Sequence, residues 1–526
     1  MLLCYNSVTM YKPVNNLPTV FVVFGATGDL MTKKIVPSLY FLYKEKKLTK
    51  FFRVLGFSHH KFSEEEFRDH VFEILKKKKI LKSRKSAENF LELFHFQKGS
   101  FADYKTFTKL AAHFGRVDNE WKTCSNKIFY LAVSPKFIQP IVNNLKRSKL
   151  SEPCGGDEGW SRIIVEKPFG SDAKTAAELE HVLSCFKEEQ IYRIDHYLGK
   201  EMVQGIMNFR FSNNLFENSW NNKHIEKIEM KLWEDIGAED RGPFYETVGA
   251  LRDVGQNHML SMVALLTMDF PATMDANGIR RARAEVLKRL RKLTPKQASQ
   301  KSFRAQYSGY NKIEGVNKKS QVETYFKLKT EIDSPRWGGV PITIEAGKRM
   351  GKPRKDIVVT FKHPVPCLCP AGKHANNQVI LTIAPNESIR VSFVAKKPGF
   401  TPAMQKREFD FFLYKKKEKR QYTEEYAKLI NACIAGDQTW FVNKQEVAAM
   451  WRATDPYELA WKKNLTKLHT YKKNTNKISE KAKKVLAKSD GDFKKQVGII
   501  GLGRMGGGIA RKLMEQDWDI VGYNRS

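Results

Sequence analysis

The sequence predicts an α/β domain with a doubly wound parallel sheet, followed by a larger, mainly antiparallel β+α domain. Three observations carry that reading. Up to about residue 200, strand-like apolar runs alternate with helical stretches. Beyond it, strand-like runs follow one another, with the helices grouped apart. A short glycine turn, Gly25-Ala26-Thr27-Gly28-Asp29-Leu30, joins the first apolar run to the first helix.

Taken in order, Thr19-Val20-Phe21-Val22-Val23-Phe24 is β-branched and aromatic without alternation, the pattern of a strand buried on both faces. The glycine turn follows, and Ile35, Leu39 and Leu42 then share one face of a helix over about 33–43. Arg53-Val54-Leu55-Gly56-Phe57 is a second strand, and Ser63 with Glu66 forms a capping box for the next helix. Further strands are expected at 127–133 and 162–166, with helices at 137–144 and 172–187. This alternation is Rossmann-like. In the second half, strands are expected at 225–233, 324–332, 341–344, 357–361, 379–384 and 389–395, and a helix at 257–266.

The expected organisation is a leader at 1–17, a dinucleotide-binding domain at 18–200, a substrate domain at 201–476, a polar, partly helical linker with few contacts at 477–495, and a short unit at 496–526. That last unit runs from a strand, Val497-Gly498-Ile499-Ile500, through Gly501-Leu502-Gly503-Arg504-Met505-Gly506 into a helix and a second strand. The G-x-G-x-x-G spacing after a strand fits a pyrophosphate on a helix N-terminus. The unit is too short to bury a sheet of its own.

The chain has 526 residues, 41% hydrophobic and 12% aromatic, which suits packed cores and excludes disorder. No apolar run is long enough for a membrane span, and the start lacks a basic-then-apolar signal. The seven cysteines include no Cys-x-x-Cys, so neither a disulfide framework nor a metal site is expected, and a reducing cytoplasm fits. The net charge of +34 has two readings: attraction to phosphorylated molecules, or lysines spread over solvated surfaces. Runs such as Lys76–Lys79 carry no nucleic-acid-binding signature around them.

Four segments carry chemistry. The Gly25–Gly28 turn can admit a pyrophosphate. After the second strand, where an acid would favour NAD, the sequence reads Ser58-His59-His60-Lys61, so NADP is tolerated. Glu166-Lys167-Pro168-Phe169-Gly170 ends a strand and places a cation at a carboxyl end, where open α/β sheets bind ligands. Arg193-Ile194-Asp195-His196-Tyr197-Leu198-Gly199-Lys200-Glu201 clusters a carboxylate, an imidazole, a phenol and an ammonium, a set that can grip a phosphate and orient a base. Arg252-Asp253 with Gln256-Asn257-His258 leads into an apolar helix, where a lone histidine is more often a core residue.

Together these segments, with Ala346-Gly347-Lys348, Asp437-Gln438-Thr439-Trp440-Phe441, Glu446-Val447 and Trp451-Arg452, resemble the glucose-6-phosphate dehydrogenase family over about 18–463. The resemblance implies that His258 is the base that takes the C1 hydroxyl proton and that Asp195 orients it. It implies substrate contacts for His196, Tyr197, Lys200, Lys167, Glu234, Asp253 and Lys348. It implies cofactor contacts for Gly25, Thr27, Gly28, Asp29, Leu30, Lys34, His59 and Lys167. His59 stands where the family has an arginine, so NADP is the expected cofactor with NAD possible; Lys34, His60 or Lys61 are candidates to replace the missing charge. A further basic residue of the substrate site is left open between Lys352 and Arg354. Glucose 6-phosphate is the implied substrate, and a homodimer or homotetramer the implied assembly, with no nucleic acid and no membrane. The tail resembles the start of 6-phosphogluconate dehydrogenase, with Arg525 where a 2′-phosphate would bind.

Overall fold

The computed structural model describes residues 18–154, 159–367, 375–401, 403–414, 424–490, 495–501, 503–514 and 518–523. The expected leader and Arg525 lie outside the described residues.

The first sheet contains β1 (Thr19–Phe24), β2 (Phe52–Ser58), β3 (Phe94–Lys98), β4 (Asn126–Leu131), β5 (Ser161–Glu166) and β6 (Ile191–Ile194). All neighbouring pairs are parallel, in the order β3-β2-β1-β4-β5-β6 of the dinucleotide-binding fold. Every residue of β1 and β4 is buried, because helices cover both faces of the sheet. The capping box at Ser63 forms as expected, and Asp172 makes a second one with Thr175. The long helix Tyr104–Trp121 and strand β3 were not foreseen.

The second sheet has nine strands: β7 (Ile225–Trp233), β8 (Ser302–Tyr307), β9 (Tyr325–Thr330), β10 (Ile342–Gly347), β11 (Arg354–Phe361), β12 (Gln378–Ala384), β13 (Ser388–Lys396), β14 (Met404–Phe412) and β15 (Leu468–Tyr471). Their order is β14-β13-β12-β11-β7-β10-β9-β8-β15, and only β10/β7 and β15/β8 are parallel. The architecture is therefore the α/β plus α+β arrangement the sequence predicts. Strands β8 and β14 escaped notice because charged residues interrupt their apolar pattern, as Arg304 does in β8 and Lys406, Arg407 and Glu408 do in β14, and β15 because it is only four residues long.

One large core of buried apolar residues runs from Val20 to Trp461 and joins both sheets and the helices between them. A smaller core holds Trp233, Tyr245, Tyr307, Tyr325, Met350 and Tyr471. The stretch read as a linker differs from expectation. Residues Lys477–Asp490 form a helix, and Ile478, Ala482 and Leu486 bury one face of it in the smaller core. Their spacing of four is a helical stripe hidden in a Lys-rich composition. Beyond it, β16 (Lys495–Ile500) and β17 (Trp518–Tyr523) pair in parallel around the helix Arg504–Met514, and with no other described strand. No helix among the described residues is long and apolar enough to cross a membrane.

Candidate active site

At the carboxyl end of β1 the chain turns at Gly25, with φ at +85°. A β-carbon there would lie 2.4 Å from the Ala132 carbonyl oxygen, so only glycine lets the turns after β1 and β4 lie this close. The Gly25 N–H donates to the Phe57 carbonyl and the Gly28 N–H to the Gly25 carbonyl, each at 2.9 Å. The turn opens onto a cavity of about 570 Å³ lined by Gly25, Thr27, Gly28, Ser58, His59, Phe101, Ala132 and Lys136 among others. That size suits a cofactor site, and its position at strand carboxyl ends is where such sheets bind dinucleotides.

Of the residues expected to hold the cofactor, Gly25, Thr27, Gly28 and His59 line this cavity. Asp29 is instead solvent-facing and paired with Lys33 at 2.6 Å, and Leu30 caps the helical turn Met31–Ile35. Lys34 is also outside the lining: its Nζ is 2.7 Å from Glu424, so its charge is already matched. His60 stacks on His59 at 4.3 Å between ring centres, but neither it nor Lys61 lines the cavity. Ser58 and Lys136 do line it and were missed. Lys136 follows Ser134-Pro135 just beyond β4, a carboxyl-end position equivalent to that of Gly25.

Strand β6 delivers Asp195, whose side chain accepts the Tyr197 N–H at 2.9 Å and so starts the helical turn His196–Gly199. His258 comes from the other domain, on a π-helical stretch, Leu251–Met259, that runs into the helix Leu260–Thr267. Such wide turns recur at functional sites. His258 Nδ1 hydrogen-bonds Asp195 Oδ1, and Ser261 Oγ donates to Asp195 Oδ2 at 3.1 Å. Both partners are sealed from solvent, Asp195 at 0% exposure and His258 at 1%. The Tyr197 ring stacks on the His258 ring at 4.4 Å, and the His196 ring meets it edge-on at 4.6 Å.

Burial alone would raise the Asp195 carboxyl, but the charge of His258 and its hydrogen bond reverse that and hold it at about 2. Burial pulls the His258 imidazole below its ordinary value; Asp195 works against this, and Lys167 reinforces it. The pair is thus an anionic carboxylate facing a neutral imidazole. With Nδ1 held by Asp195, Nε2 is the nitrogen left to accept a proton.

Around this pair lies a ring of matched charges. Lys167, at the end of β5, donates to the Asp253 main-chain oxygen and stands 3.4 Å from Asp253 Oδ1. Arg241 reaches Asp253 Oδ2 at 3.0 Å and Lys348 stands 3.9 Å from the same oxygen. Lys348 also pairs with Glu234 at 2.7 Å, and Lys355 reaches Glu234 at 3.2 Å. Lys200 pairs with Glu425 at 2.6 Å. Burial raises the Asp253 carboxyl, yet Lys167, Arg241 and Lys348 bring it down to about 2. Glu234 is lowered in the same way, with Lys348 and Lys355 outweighing burial. Asp253 and Glu234 are therefore charged at neutral pH.

A small cavity between these groups is lined by Tyr197, Glu234, Tyr245, Asp253 and Lys348. The Tyr245 hydroxyl in its lining, and both amide atoms of Asn257 and Gln256 Nε2 on the same π-helical stretch as Asp253, are buried with no hydrogen-bond partner among the described residues. Buried polar groups are rarely left so, and a polyhydroxylated ligand is the kind that satisfies them. The structure thus brings His258, Asp195, His196, Tyr197, Lys200, Lys167, Glu234, Asp253 and Lys348 together. Sequence reasoning missed Tyr245, Arg241, Lys355 and Glu425. Between the two residues left open, Lys352 is exposed and Arg354 is engaged by Asp356, while their neighbour Lys355 reaches Glu234.

A parallel-sheet domain with a glycine-turn cavity, joined at its carboxyl edge to a buried carboxylate–imidazole pair, defines a nicotinamide-dinucleotide-dependent oxidoreductase. The comparisons narrow the class. The family descriptions "Glucose-6-phosphate dehydrogenase, NAD binding domain" and "Glucose-6-phosphate dehydrogenase, C-terminal domain" match residues 22–205 and 207–494. "NAD binding domain of 6-phosphogluconate dehydrogenase" matches residues 496–526. The glucose-6-phosphate 1-dehydrogenase of Chlamydia muridarum is 36% identical over 468 residues, covering 85% of this chain and 91% of its own. That of Bacillus subtilis is 36% identical over 462 residues, covering 85% and 92%. A solved glucose-6-phosphate dehydrogenase in complex with glucose 6-phosphate superposes with a TM-score of 0.80 at 30% identity, covering 90% of this chain and 98% of that one. The Mycobacterium avium enzyme gives 0.77 at 29%, covering 88% and 95%. The chain belongs to the glucose-6-phosphate dehydrogenase family.

Proposed function

We propose that this enzyme oxidises glucose 6-phosphate at C1 to 6-phosphogluconolactone with NADP as hydride acceptor, the opening oxidation of the pentose phosphate route. The observation that carries the reading is the buried His258–Asp195 pair, at the carboxyl end of β6 and ringed by matched charges.

His258 Nε2 takes the proton of the C1 hydroxyl, and Asp195 holds the imidazole in the tautomer that leaves Nε2 unprotonated and stabilises the imidazolium that forms. When bound, the nicotinamide dinucleotide accepts the hydride that leaves C1 as the carbonyl forms. Lys167, at the end of β5 and against Asp253, orients both reactants. Lys200, His196 and Tyr197 hold the phosphate by charge-assisted hydrogen bonds. Glu234, Asp253 and Lys348 hold sugar hydroxyls, replacing some of the ion pairs they now make with one another. Tyr245 completes that shell with a hydroxyl that has no partner among the described residues.

The glycine turn and its cavity fit a dinucleotide. Ser58, His59 and Lys136 are the groups available near a ribose phosphate, and none supplies the planar fork of an arginine. NADP is therefore used with NAD as a weaker competitor. The exposed edge strand β14, with Phe409, Phe411 and Phe412 at 68%, 60% and 53% exposure, supports a homodimer or homotetramer joined through this sheet. The enzyme works in the cytoplasm. Residues 18–200 and 201–490 are its two working domains, and 496–526 is a second dinucleotide-binding βαβ unit. An absorbance assay with glucose 6-phosphate, run with NADP and with NAD, tests the reading; absence of activity with both refutes it.

A further inference from the structure

Far from the active site, at the opposite end of the parallel sheet, three segments meet. The helix Tyr104–Trp121 brings Asp118, the turn into β4 brings Cys124, and the loop ahead of β5 brings Cys154. The Sγ atoms of Cys124 and Cys154 and a carboxylate oxygen of Asp118 all lie within 4.8 Å of one another. Gly159, with φ at +66°, sits against the two cysteines: a β-carbon there would be 2.8 Å from Cys154 Cβ and 3.0 Å from Cys124 Cβ. The two cysteine β-carbons thus flank one point closely, and any residue but glycine would wedge between them.

Lys127 adds the second element. It is 4% exposed, and its ammonium donates to the Ser125 carbonyl at 3.3 Å and to Cys154 Sγ at 3.0 Å. It also lies over the Phe114 ring at 5.4 Å. The buried ammonium is thus a hydrogen-bond donor fixed on the exposed sulfur of Cys154. Cys154 is exposed, whereas Cys124 is half-buried behind it. The hydrogen bond between the thiols, with burial and the Asp118 carboxylate adding to it, holds the Cys124 thiol above its ordinary range. Cys124 therefore keeps its proton while it faces the more reactive sulfur. The same cluster has the donor set of a soft-metal site, but the Lys127 ammonium stands on Cys154 where a cation would need to sit.

We propose that Cys124 and Cys154 form a redox-active dithiol whose oxidant is a hydroperoxide. The Cys154 thiolate attacks the distal peroxide oxygen, the O–O bond breaks, and Cys154 sulfenic acid forms while the leaving oxygen takes back from solvent the proton the thiol gave up and departs as water or an alcohol. Cys124 sulfur then attacks Cys154 sulfur; the S–O bond breaks, the S–S bond forms, and water leaves with the Cys124 proton. Two thiols are oxidised by two electrons and one peroxide is reduced. A transient disulfide of this kind is what a reducing compartment permits. It ties the turn before β4 to the loop before β5, on the face away from catalysis, so it marks exposure to oxidant without touching the active site.

The test uses the full chain, reduced, then treated with stoichiometric hydrogen peroxide and mapped by peptide mass spectrometry over time. The expected result is a Cys124–Cys154 disulfide forming at least about tenfold faster than Cys185 is modified, because the Lys127 ammonium stands on Cys154 Sγ and Cys185 has no such donor among the described residues. In Cys124→Ser, Cys154 should stop as a sulfenic acid trapped by dimedone, with dehydrogenase activity unchanged. Lys127→Met should slow the reaction about tenfold; should that variant not fold, the Cys124→Ser trapping still decides. Oxidation of Cys154 no faster than Cys185, or a sulfenic acid in the wild type that never passes to Cys124, overturns the proposal. So does stoichiometric, tight binding of zinc to the reduced wild type that is lost in Cys124→Ser and blocks oxidation, since it assigns the cluster to a metal.

Discussion

If His258 is the base, its substitution has a calculable cost and a recognisable pH signature. His258→Asn keeps a side chain that can still reach Asp195 but has nothing to accept the C1 proton. Loss of a general base costs about 10²- to 10⁴-fold, or about 3–5 kcal/mol in barrier. It should appear in kcat, with little change in KM. The pH dependence follows from the groups around the ring. The base works when neutral, so kcat/KM falls as pH drops through the imidazole pKa of the free enzyme. Burial and Lys167 hold that value below the ordinary one, so the acid limb of the wild type should lie below about 6.5.

Two substitutions should then move the limb in opposite directions. Lys167→Met removes a cation that lowers the imidazole and should shift the limb upward. Asp195→Asn removes the carboxylate that opposes the lowering, so the limb should shift further down. Asp195→Asn should also cut kcat by about 10²-fold or more, because an amide no longer fixes the tautomer. The assay is initial-rate NADP reduction from pH 5 to 9 at limiting glucose 6-phosphate. Turnover of His258→Asn within tenfold of the wild type, or limbs of Lys167→Met and Asp195→Asn that move together, would refute the assignment.

Other expectations are as direct. Lys200→Ala and Tyr197→Phe should weaken glucose 6-phosphate more than glucose, each lost phosphate contact being worth roughly 1.5–3 kcal/mol; equal losses in KM for both sugars would remove them from the phosphate site. His59→Arg should raise the NADP-to-NAD ratio of kcat/KM by supplying a planar fork, whereas Lys34→Ala should leave that ratio alone, since Lys34 is paired with Glu424 outside the cavity. Glu323 is buried and accepts the Leu251 N–H at 2.8 Å, and burial, then Glu458, raises its carboxyl to about 8. A raised folded-state pKa gives stability that is complete below the unfolded carboxyl value and is lost progressively as pH rises from there to about 8, so the thermal midpoint should fall between about pH 5 and 8 and Glu323→Gln should flatten that fall. Truncation after Asp490 should leave dehydrogenase activity intact, whereas truncation after Lys477 should lower both activity and thermal midpoint; equal activity of the two truncated forms would show that the intervening helix does not matter.

What could be read from the sequence was local. The first strand, its glycine turn and helix were legible because a fully buried parallel strand needs an unbroken apolar run and the close approach to Ala132 needs glycine. Asp195 to Lys200 stood out because a polar cluster follows a buried strand at once. His258 was different: on an apolar helix it looks like a core residue, and only the resemblance to a family singled it out. What the sequence hid were pairings across the chain. Lys34 seemed free to meet a phosphate until Glu424, 390 residues away, was found beside it. Tyr245, Arg241 and Glu425 belong to the charge ring through the folding of β7, β10 and the helix Glu425–Ala435 around it, and no local pattern marks them.

The helix Lys477–Asp490 sharpens the point, because its composition argued for a linker while its geometry makes it a support. Tyr471 donates its hydroxyl to the Lys348 carbonyl at 2.6 Å, and the Asn474 N–H reaches the Arg349 carbonyl at 2.7 Å. Asn476 accepts the Gly351 N–H at 3.0 Å. Residues 348–351 are thus held along their main chain by 471–476, and the helix that follows pins that segment down by burying Ile478, Ala482 and Leu486 against Tyr325 and Met350. Lys348, which faces both Glu234 and Asp253, owes its position to main-chain bonds made by residues more than a hundred positions later. Polar bonds of this kind leave no trace in hydrophobic periodicity. The three apolar residues that secure them do leave one, at a spacing of four, and it is faint only because lysines occupy the face between them.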